Sequence, residues 1–412
     1  MLPGVRIVFA PSAAVLAVTF VGGGVALGTV SGLVPGLHAN NFALFLAAAA
    51  PAVPGPGRFV GAAMLAAGVT HTFLDVVPAL ALGVPDPAMA ASALPGHRLV
   101  LAGRGREALR LSALGSGLAV VAAAPLAVPV TELMAAVYPS LRARLPLVLV
   151  GVAVTLVATE RTRRARFGCA AGLAASAALG LVVLDLPATG LVDAGGLLAP
   201  LFAGLFGAPV LVESLGGEGV PAQSDAGVTS RPRAVVGVAA AGTLAGAAVG
   251  YLPGVSSAVA ATVALLAVPR RIGARGFVVT TSAVNTANAV FALFALLELG
   301  TPRTGVLVAL DDAAVPLSPP LLLGGVALAA AAGFVLVVTA GDRYLRTVGR
   351  LDNTRLSLAV LALLAVVSFL FAGPVGVGAF LLAGIVGLVP ARAGARRASL
   401  MGVLMGPLIV GG

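Results

Sequence analysis

The chain repeats one sequence pattern in its two halves. Residues 28–36 read Gly-x-x-x-Gly-Leu-Val-Pro-Gly, and residues 246–254, 218 positions further on, read Gly-x-x-x-Gly-Tyr-Leu-Pro-Gly. An apolar stretch follows each copy. The match continues, because Leu-Gly-Val-Pro at 82–85 returns as Leu-Gly-Thr-Pro at 299–302, at a spacing of 217. The chain is therefore expected to fold as two similar units.

Composition places both units in a membrane. Hydrophobic residues make up 59% of the chain and charged residues 10%, whereas soluble domains carry roughly 25% charge. Many apolar runs approach or exceed the ~20 residues that cross a bilayer as a helix. The sequence thus predicts an all-α polytopic protein of the cell membrane. All 25 basic residues are arginines in short loops between apolar runs, a pattern typical of membrane loops, so we expect no nucleic-acid binding. One cysteine and three scattered histidines make a disulfide impossible and a metal site unexpected.

The apolar runs divide the chain into repeat one (1–212), a polar cytoplasmic connector (213–233) and repeat two (234–412). Each repeat opens with two apolar segments joined by Pro-Gly. The segments are 13–34 with 37–53, and 234–252 with 255–268. The remaining runs are 59–83, 111–134, 145–159, 167–186 and 194–211 in repeat one, and 276–300, 319–338, 356–372, 373–390 and 399–410 in repeat two.

The Pro-Gly pairs predict a broken helical hairpin in each repeat, because proline ends a helix and the second arms are short. Two ordinary tilted spans joined by a tight turn remain the alternative. A hairpin returns to its own side, so five further crossings would make the two repeats inverted in topology. With the N-terminus outside, most arginines fall on the cytoplasmic side. The exceptions are Arg6, Arg58, Arg142, Arg144 and Arg303.

Polar residues follow both Pro-Gly pairs, where a new helix is expected to begin. Unpaired backbone N–H groups and the helix dipole favour an anion there. The same side chains could instead cap the helix. The predicted anion-binding residues are Pro35, Gly36, His38, Asn40 and Asn41, with Pro253, Gly254, Ser256 and Ser257 in the second copy.

Two further polar groups lie in the middle of apolar runs. Thr70, His71 and Asp75 interrupt run 59–83. His71 and Asp75 are four residues apart and share a helix face. Ionisable residues at the bilayer centre are costly and mark function by default. These three are predicted to bind the coupling ion, Na⁺ or H⁺, with a structural buried pair as the alternative.

At the corresponding depth of run 276–300, Asn285 and Asn288 lie among hydroxyl residues and are predicted to bind substrate. Alternatively, this polar set holds helices together. At the spacing of 217, His71 corresponds to Asn288.

Between 82 and 105 the sequence reads as a polar loop rich in Gly and Pro. Its Arg98 and Arg104 are interpreted as cytoplasmic topology markers, or as an anion-binding gate.

Three segments give the chain a resemblance to a known family. They are 28–36, its copy 246–254, and 83–105 with Gly-x-Pro, Leu-Pro-Gly-His and Gly-x-Gly. The chain resembles the TctA family, the large membrane subunit of tripartite tricarboxylate transporters, and within it a shorter, archaeal-type branch. The resemblance implies an ion-gradient-driven carrier of di- or tricarboxylates. It also implies a small membrane subunit and an extracytoplasmic binding protein as partners, and leaves a homodimer open.

The leading hypothesis is a secondary active transporter of a small organic anion, without an enzymatic reaction and without a cofactor beyond the coupling ion. A channel fits an inverted repeat too, but buried Asp75 and His71 favour ion coupling. A membrane assembly or lipid-handling protein is the third reading. An intramembrane hydrolase is disfavoured, because neither Gly-x-Ser-x-Gly nor His-Glu-x-x-His occurs.

Overall fold

The computed structural model describes residues 10–35, 37, 39–83, 93–191, 196–216, 219–252, 257–267 and 272–411. Regular structure within these ranges is helical. The predicted first repeat contains α1 (Pro11–Leu33), α2 (Ala39–Ala49), α3 (Gly57–Leu74), α4 (Val76–Leu82), α5 (Ala93–Leu101), α6 (Gly105–Ala143), α7 (Leu145–Ala158), α8 (Arg163–Val183), α9 (Leu198–Phe202) and α10 (Ala208–Ser214). The second contains α11 (Pro232–Tyr251), α12 (Ser257–Ala267), α13 (Gly273–Leu299), α14 (Gly305–Asp312), α15 (Pro319–Val348), α16 (Asn353–Ala393) and α17 (Gly402–Val410).

Eight helical segments in the described part of the chain are long and apolar enough to cross a membrane. They are α1, α3 with α4, α6, α8, α11, α13, α15 and α16. The chain is thus an all-α, multi-pass membrane protein. Three of these helices differ clearly from the predicted runs. α6 spans 39 residues where the sequence predicts 111–134, and α15 continues to Val348 where the predicted run ends at 338. α16 joins the predicted runs 356–372 and 373–390 across a kink at Gly373, which precedes Pro374.

Both Pro-Gly pairs lie between two helices, as the sequence predicts. α1 ends at Leu33 and α11 ends at Tyr251, shortly before the respective prolines. The second arms, α2 and α12, have 11 residues each. At 1.5 Å per residue such a helix rises about 16 Å, roughly half of a bilayer core. A re-entrant hairpin fits this length better than two full spans do. The inverted relation of the repeats stays a prediction.

The first arm of each hairpin packs against the next long helix through glycines. α1 packs on α3, and α11 packs on α13. A methyl group at Gly28 would overlap the carbonyl oxygen of Ala67, and one at Gly246 would lie 2.7 Å from the carbonyl oxygen of Val284. Ala67 and Val284 are related by the same spacing of 217 as the sequence repeat. The repeated glycines therefore make the same backbone contact twice, as small residues do between membrane helices.

Enlarging these two glycines should damage folding. Gly28→Val and Gly246→Val force backbones apart, which costs about 1–3 kcal/mol or more per site. Gly22→Val and Gly237→Val are matched controls on the same two helices, because nothing lies within 4 Å of a Cβ at either position. We expect reduced yield of monodisperse protein in size-exclusion chromatography for the first pair alone. Equal yields for all four variants would contradict this packing.

The second repeated motif marks a helix end. Gly83 follows α4 with φ of 67°, and Gly300 follows α13 with φ of 60°. This left-handed conformation is nearly free of strain only for glycine, and it commonly terminates helices. The Leu-Gly-x-Pro motif thus ends the corresponding polar helix in each half.

Apolar side chains form two main clusters. The larger one joins α1–α6 to α11 and α13–α15, so it contains helices of both repeats. The second is built from α7, α8 and α9, and from α17 with the turn Arg397–Met401 that precedes it. α10 packs on α16, which contributes residues to both clusters.

A buried carboxylate joins the two repeats on the side predicted to be cytoplasmic. Glu107, at the start of α6, is fully buried and pairs with Arg104 at 2.7 Å and with Arg275 of α13 at 2.9 Å. Its Oε1 also accepts the backbone N–H of Thr229 at 3.1 Å. Because Thr229 belongs to the connector, a single side chain holds both repeats and the segment between them.

Candidate functional site

The most completely buried candidate span is α3 with α4, which carries the predicted ion-coupling residues. Thr70 and His71 are fully buried and Asp75 is 4% exposed. Asp75 lies at the junction of the two helices. Pro78 explains the junction, since it has no N–H to donate to Leu74. A carboxylate is thereby placed at an interruption in the middle of a buried helix.

His71 connects this span to the first hairpin. Its Nδ1 lies 2.9 Å from the hydroxyl of Ser31 on α1. Its ring also stacks on Phe42 of α2, with ring centroids 5.8 Å apart and planes 10° apart. His71 thus contacts both arms of the hairpin that surrounds the first Pro-Gly.

Asn288, the residue that corresponds to His71 in the second repeat, makes the equivalent connection there. Its side-chain amide donates to the hydroxyl of Ser257 at 3.3 Å. Ser257 is 4% exposed and is the first residue of α12. In each half, therefore, a polar residue of the long helix binds the hairpin of its own repeat.

Asp75 instead joins the two halves. The amide of Asn285 on α13 donates to Asp75 Oδ2 at 2.6 Å, and Asn285 is 5% exposed. A hydrogen bond to an ionised carboxylate is roughly twice as strong as one between neutral groups. The two intramembrane polar groups that the sequence identifies separately are in direct contact here.

Hydroxyl groups continue this polar contact between α13 and α6. Ser112 Oγ lies 2.9 Å from Ser282 Oγ, and Thr286 donates to Ser116 Oγ at 2.8 Å. All four hydroxyl residues are buried. The hydroxyl of Thr280, also buried on α13, has no hydrogen-bond partner among the described residues. A group of neighbouring hydroxyl oxygens is suited to bind a hard cation, a proton or a polar group of a substrate.

The second arms of the hairpins reach beyond the larger apolar cluster. Phe45 of α2 packs on Phe371 of α16 with ring centroids 4.7 Å apart. Val259 of α12 belongs to the second cluster, while its neighbour Ala260 packs with Val249 and Val284 of its own repeat. α12 thus lies between the second cluster and the helices α11 and α13, and α2 reaches α16, which contributes residues to both clusters.

Part of the predicted anion site lies outside the described residues. This holds for Gly36, His38, Pro253, Gly254 and Ser256, and for the side chains of Asn40 and Asn41. Pro35 lies in the turn after α1. Three of the predicted substrate-binding side chains are among the described residues. Ser257 is the first residue of α12, and Asn285 and Asn288 lie in the middle of α13.

Sequence reasoning missed several polar partners at this site. Ser31 lies within the glycine motif 28–36, and the sequence did not predict that it would contact His71. Ser112 and Ser116 are four residues apart in an apolar run, so the sequence indicates that they share a helix face and could have identified them as polar partners. Tyr251, which binds Thr131 of α6 at 2.5 Å, was not distinguishable from a core aromatic residue.

The loop predicted between 82 and 105 contains a helix, α5, because its apolar residues Leu99 and Val100 are buried in the larger cluster. Arg104 is paired with Glu107. His97 Nδ1 lies 2.7 Å from the backbone carbonyl oxygen of Leu80. Burial lowers the pKa of His97 below its ordinary value of 6.5, and the hydrogen bond to Leu80 opposes this shift.

The lowered pKa of His97 makes stability depend on pH. As pH falls through about 6.5, the unfolded chain takes up the proton before the folded protein does, so the free energy of unfolding decreases. We expect the midpoint of thermal unfolding, followed by circular dichroism, to fall between pH 7.5 and 5.5. His97→Gln should have a flatter profile over this range. An unchanged slope in the variant would mean that other groups set the pH dependence.

The chain is similar in sequence to a known protein family. A family model described as "Tripartite tricarboxylate transporter TctA family" matches residues 18–402. An uncharacterized protein of Methanocaldococcus jannaschii is 28% identical over 287 residues, which are 69% of each chain. No solved structure matches the chain. The family match includes both Pro-Gly pairs and every described polar residue of the candidate site.

Proposed function

This chain belongs to the tripartite tricarboxylate transporter TctA family, a family of transporters, and we propose that it is a secondary active carrier of a small organic anion. The substrate is of the di- or tricarboxylate type, and a Na⁺ or H⁺ gradient drives its movement. The observation that carries the proposal is the buried hydrogen bond between Asp75 and Asn285, which joins the two repeats through an ionisable group.

Asp75 is suited to carry the coupling ion. An isolated carboxylate in a membrane interior is costly, so binding of Na⁺ or a proton stabilises it. Neutralising its charge also weakens the charge-assisted hydrogen bond from Asn285. Ion binding and the contact between the repeats are then linked, as an alternating-access carrier requires. His71 and Thr70 hold the same helix in place against the first hairpin.

Asp75→Asn should separate coupling from substrate movement. We expect the variant to lose accumulation driven by an ion gradient in proteoliposomes, because it has no titratable group there. Exchange of labelled for unlabelled carboxylate needs no net ion movement and should persist. Asp312→Asn, the same change at the exposed end of α14, is the matched control. Gradient-driven accumulation by a well-folded Asp75→Asn protein would exclude Asp75 as the ion carrier.

The proposed substrate site lies at the starts of α2 and α12. Two helix N-termini directed at one point each supply about half a positive charge. No arginine lies within the apolar runs 59–83 and 276–300, so backbone N–H groups would replace a fixed cation. The site consists of Pro35, Gly36, His38, Asn40, Asn41, Pro253, Gly254, Ser256 and Ser257, with Asn285 and Asn288 at its side.

Substitutions around both Pro-Gly pairs test this site. Asn40→Ala with Ser256→Ala should weaken stabilisation by citrate or succinate, because side-chain donors are lost while backbone donors remain. Gly36→Val or Gly254→Val should weaken it more, since close approach to the backbone is lost. Unfolding cannot be followed by tryptophan fluorescence, because the chain has no tryptophan. Its single cysteine, Cys169, is 1% exposed, so a thiol-reactive dye labels it when the protein unfolds. Undiminished stabilisation in all these variants would place the anion elsewhere.

The family description also bears on partners and location. We propose that the chain works in the cytoplasmic membrane with a small membrane subunit and an extracytoplasmic binding protein, as the word tripartite suggests. A homodimer is compatible with the lipid-facing surfaces of α1, α8 and α15. Co-purification of the tagged chain from native membranes would identify these partners.

A further inference from the structure

A cavity of about 480 Å³ lies between the first turns of α6 and the last turns of α15. Four arginines and two aspartates line it, together with Leu109, Val338 and Thr339. The charged residues are Arg106, Arg110, Asp225, Asp342, Arg343 and Arg346. Positive side chains thus exceed negative ones by two.

The aspartates neutralise these arginines only in part. Asp342 accepts from Arg106 Nε at 2.6 Å and also pairs with Arg346. Asp225 lies 2.9 Å from Arg110, but its side chain is 71% exposed. An ion pair this exposed is screened by water and contributes little. The cavity therefore retains a positive potential.

Arg343 strengthens this potential. Its side chain is exposed and makes no ion pair or hydrogen bond within the described ranges of the chain. Arg346, one helical turn further on, uses a single nitrogen for Asp342. Guanidinium groups with free N–H donors are suited to bidentate contacts with phosphate oxygens.

The cavity opens next to a helix surface that faces lipid. On α15, Leu328 and Val335 are 51% and 57% exposed, as expected of side chains in contact with acyl chains. Thr339 continues the same face, and Arg346 lies seven residues beyond it, a rise of about 10 Å. Apolar and basic residues are thus arranged along α15 in the order of the acyl chains and headgroup of a lipid.

We propose that this cavity binds the phosphate headgroup of an anionic phospholipid of the inner leaflet, with the acyl chains along Val335 and Leu328. Its arginines lie on the side that the arginine distribution predicts to be cytoplasmic, where basic residues between membrane helices meet anionic headgroups. A lipid satisfies the charge and the apolar surface together, whereas free phosphate satisfies the charge alone. The site does not depend on the proposed transport reaction.

The test is a thermal titration of the full chain in detergent, read out by dye labelling of Cys169. Phosphatidylglycerol is compared with phosphatidylcholine and inorganic phosphate. Of these three, we expect saturable stabilisation by phosphatidylglycerol only. Arg343→Gln should weaken its apparent affinity about tenfold or more, the loss expected for a charge-assisted hydrogen bond. Arg343 has no ion pair among the described residues, so this change should leave the lipid-free melting temperature unchanged.

Matched variants keep the result specific. Arg343→Gln with Arg346→Gln removes two charges from the cavity, and Arg350→Gln with Arg355→Gln removes two exposed charges nearby. Loss confined to the first pair supports the site. Equal loss in both pairs would mean a diffuse charge effect and overturn it. Equal stabilisation by inorganic phosphate would overturn the lipid assignment, and no stabilisation by phosphatidylglycerol would overturn the proposal as a whole.

Discussion

Close approach of helix backbones at glycines is the constraint on which the rest of this structure depends. In lipid, the hydrophobic effect does not drive apolar helices to associate, so van der Waals packing and hydrogen bonds must hold them together. Gly28 and Gly32 bring α1 against α3, where a Cβ at Gly32 would lie 2.6 Å from Cβ of Leu74 and 3.1 Å from the carbonyl oxygen of His71. Ser31 lies between these two glycines. Its hydroxyl reaches His71 because the helices are this close, so the packing motif also creates a polar contact.

The duplicated sequence explains which contacts are repeated and which are not. His71 and Asn288 occupy corresponding positions, and each binds the hairpin of its own half. Asp75 and Asn285 do not correspond: at a spacing of 217, Asp75 matches Ala292. Their hydrogen bond is therefore an asymmetric contact between two otherwise similar units. The duplicated sequence supplies two hairpins, whereas this link between the two halves arises where the copies have diverged.

The sequence predicts helix breaks and buried polar positions well, but it does not predict how each helix is rotated about its axis. Proline and glycine chemistry acts over a few residues, so the breaks near Pro35 and Pro253 and the helix ends at Gly83 and Gly300 follow from short motifs. The buried polar residues of α3 and α13 could also be identified, because polarity in an apolar run is conspicuous. That Asn285 contacts Asp75, 210 positions away, depends on how each helix is rotated about its axis. The role of Glu107 was missed for the same reason, because its partners Arg275 and Thr229 lie on other elements.

The contacts of this molecule differ in how easily they can be remade, and this difference bears on movement. Backbones that meet at Gly28 and Gly246 cannot slide without steric overlap, so α1 with α3 and α11 with α13 are expected to behave as rigid pairs. The link between Asp75 and Asn285 depends on the charge of Asp75, so neutralising this carboxylate is expected to weaken the link. The contact between Phe45 and Phe371 is apolar. α12 contacts α11 and α13 as well as α7, and α2 contacts α16, so relative movement of the two clusters would shift both second arms. In the proposed mechanism, an anion held at the starts of these arms would be released by a movement that neutralisation of Asp75 would facilitate.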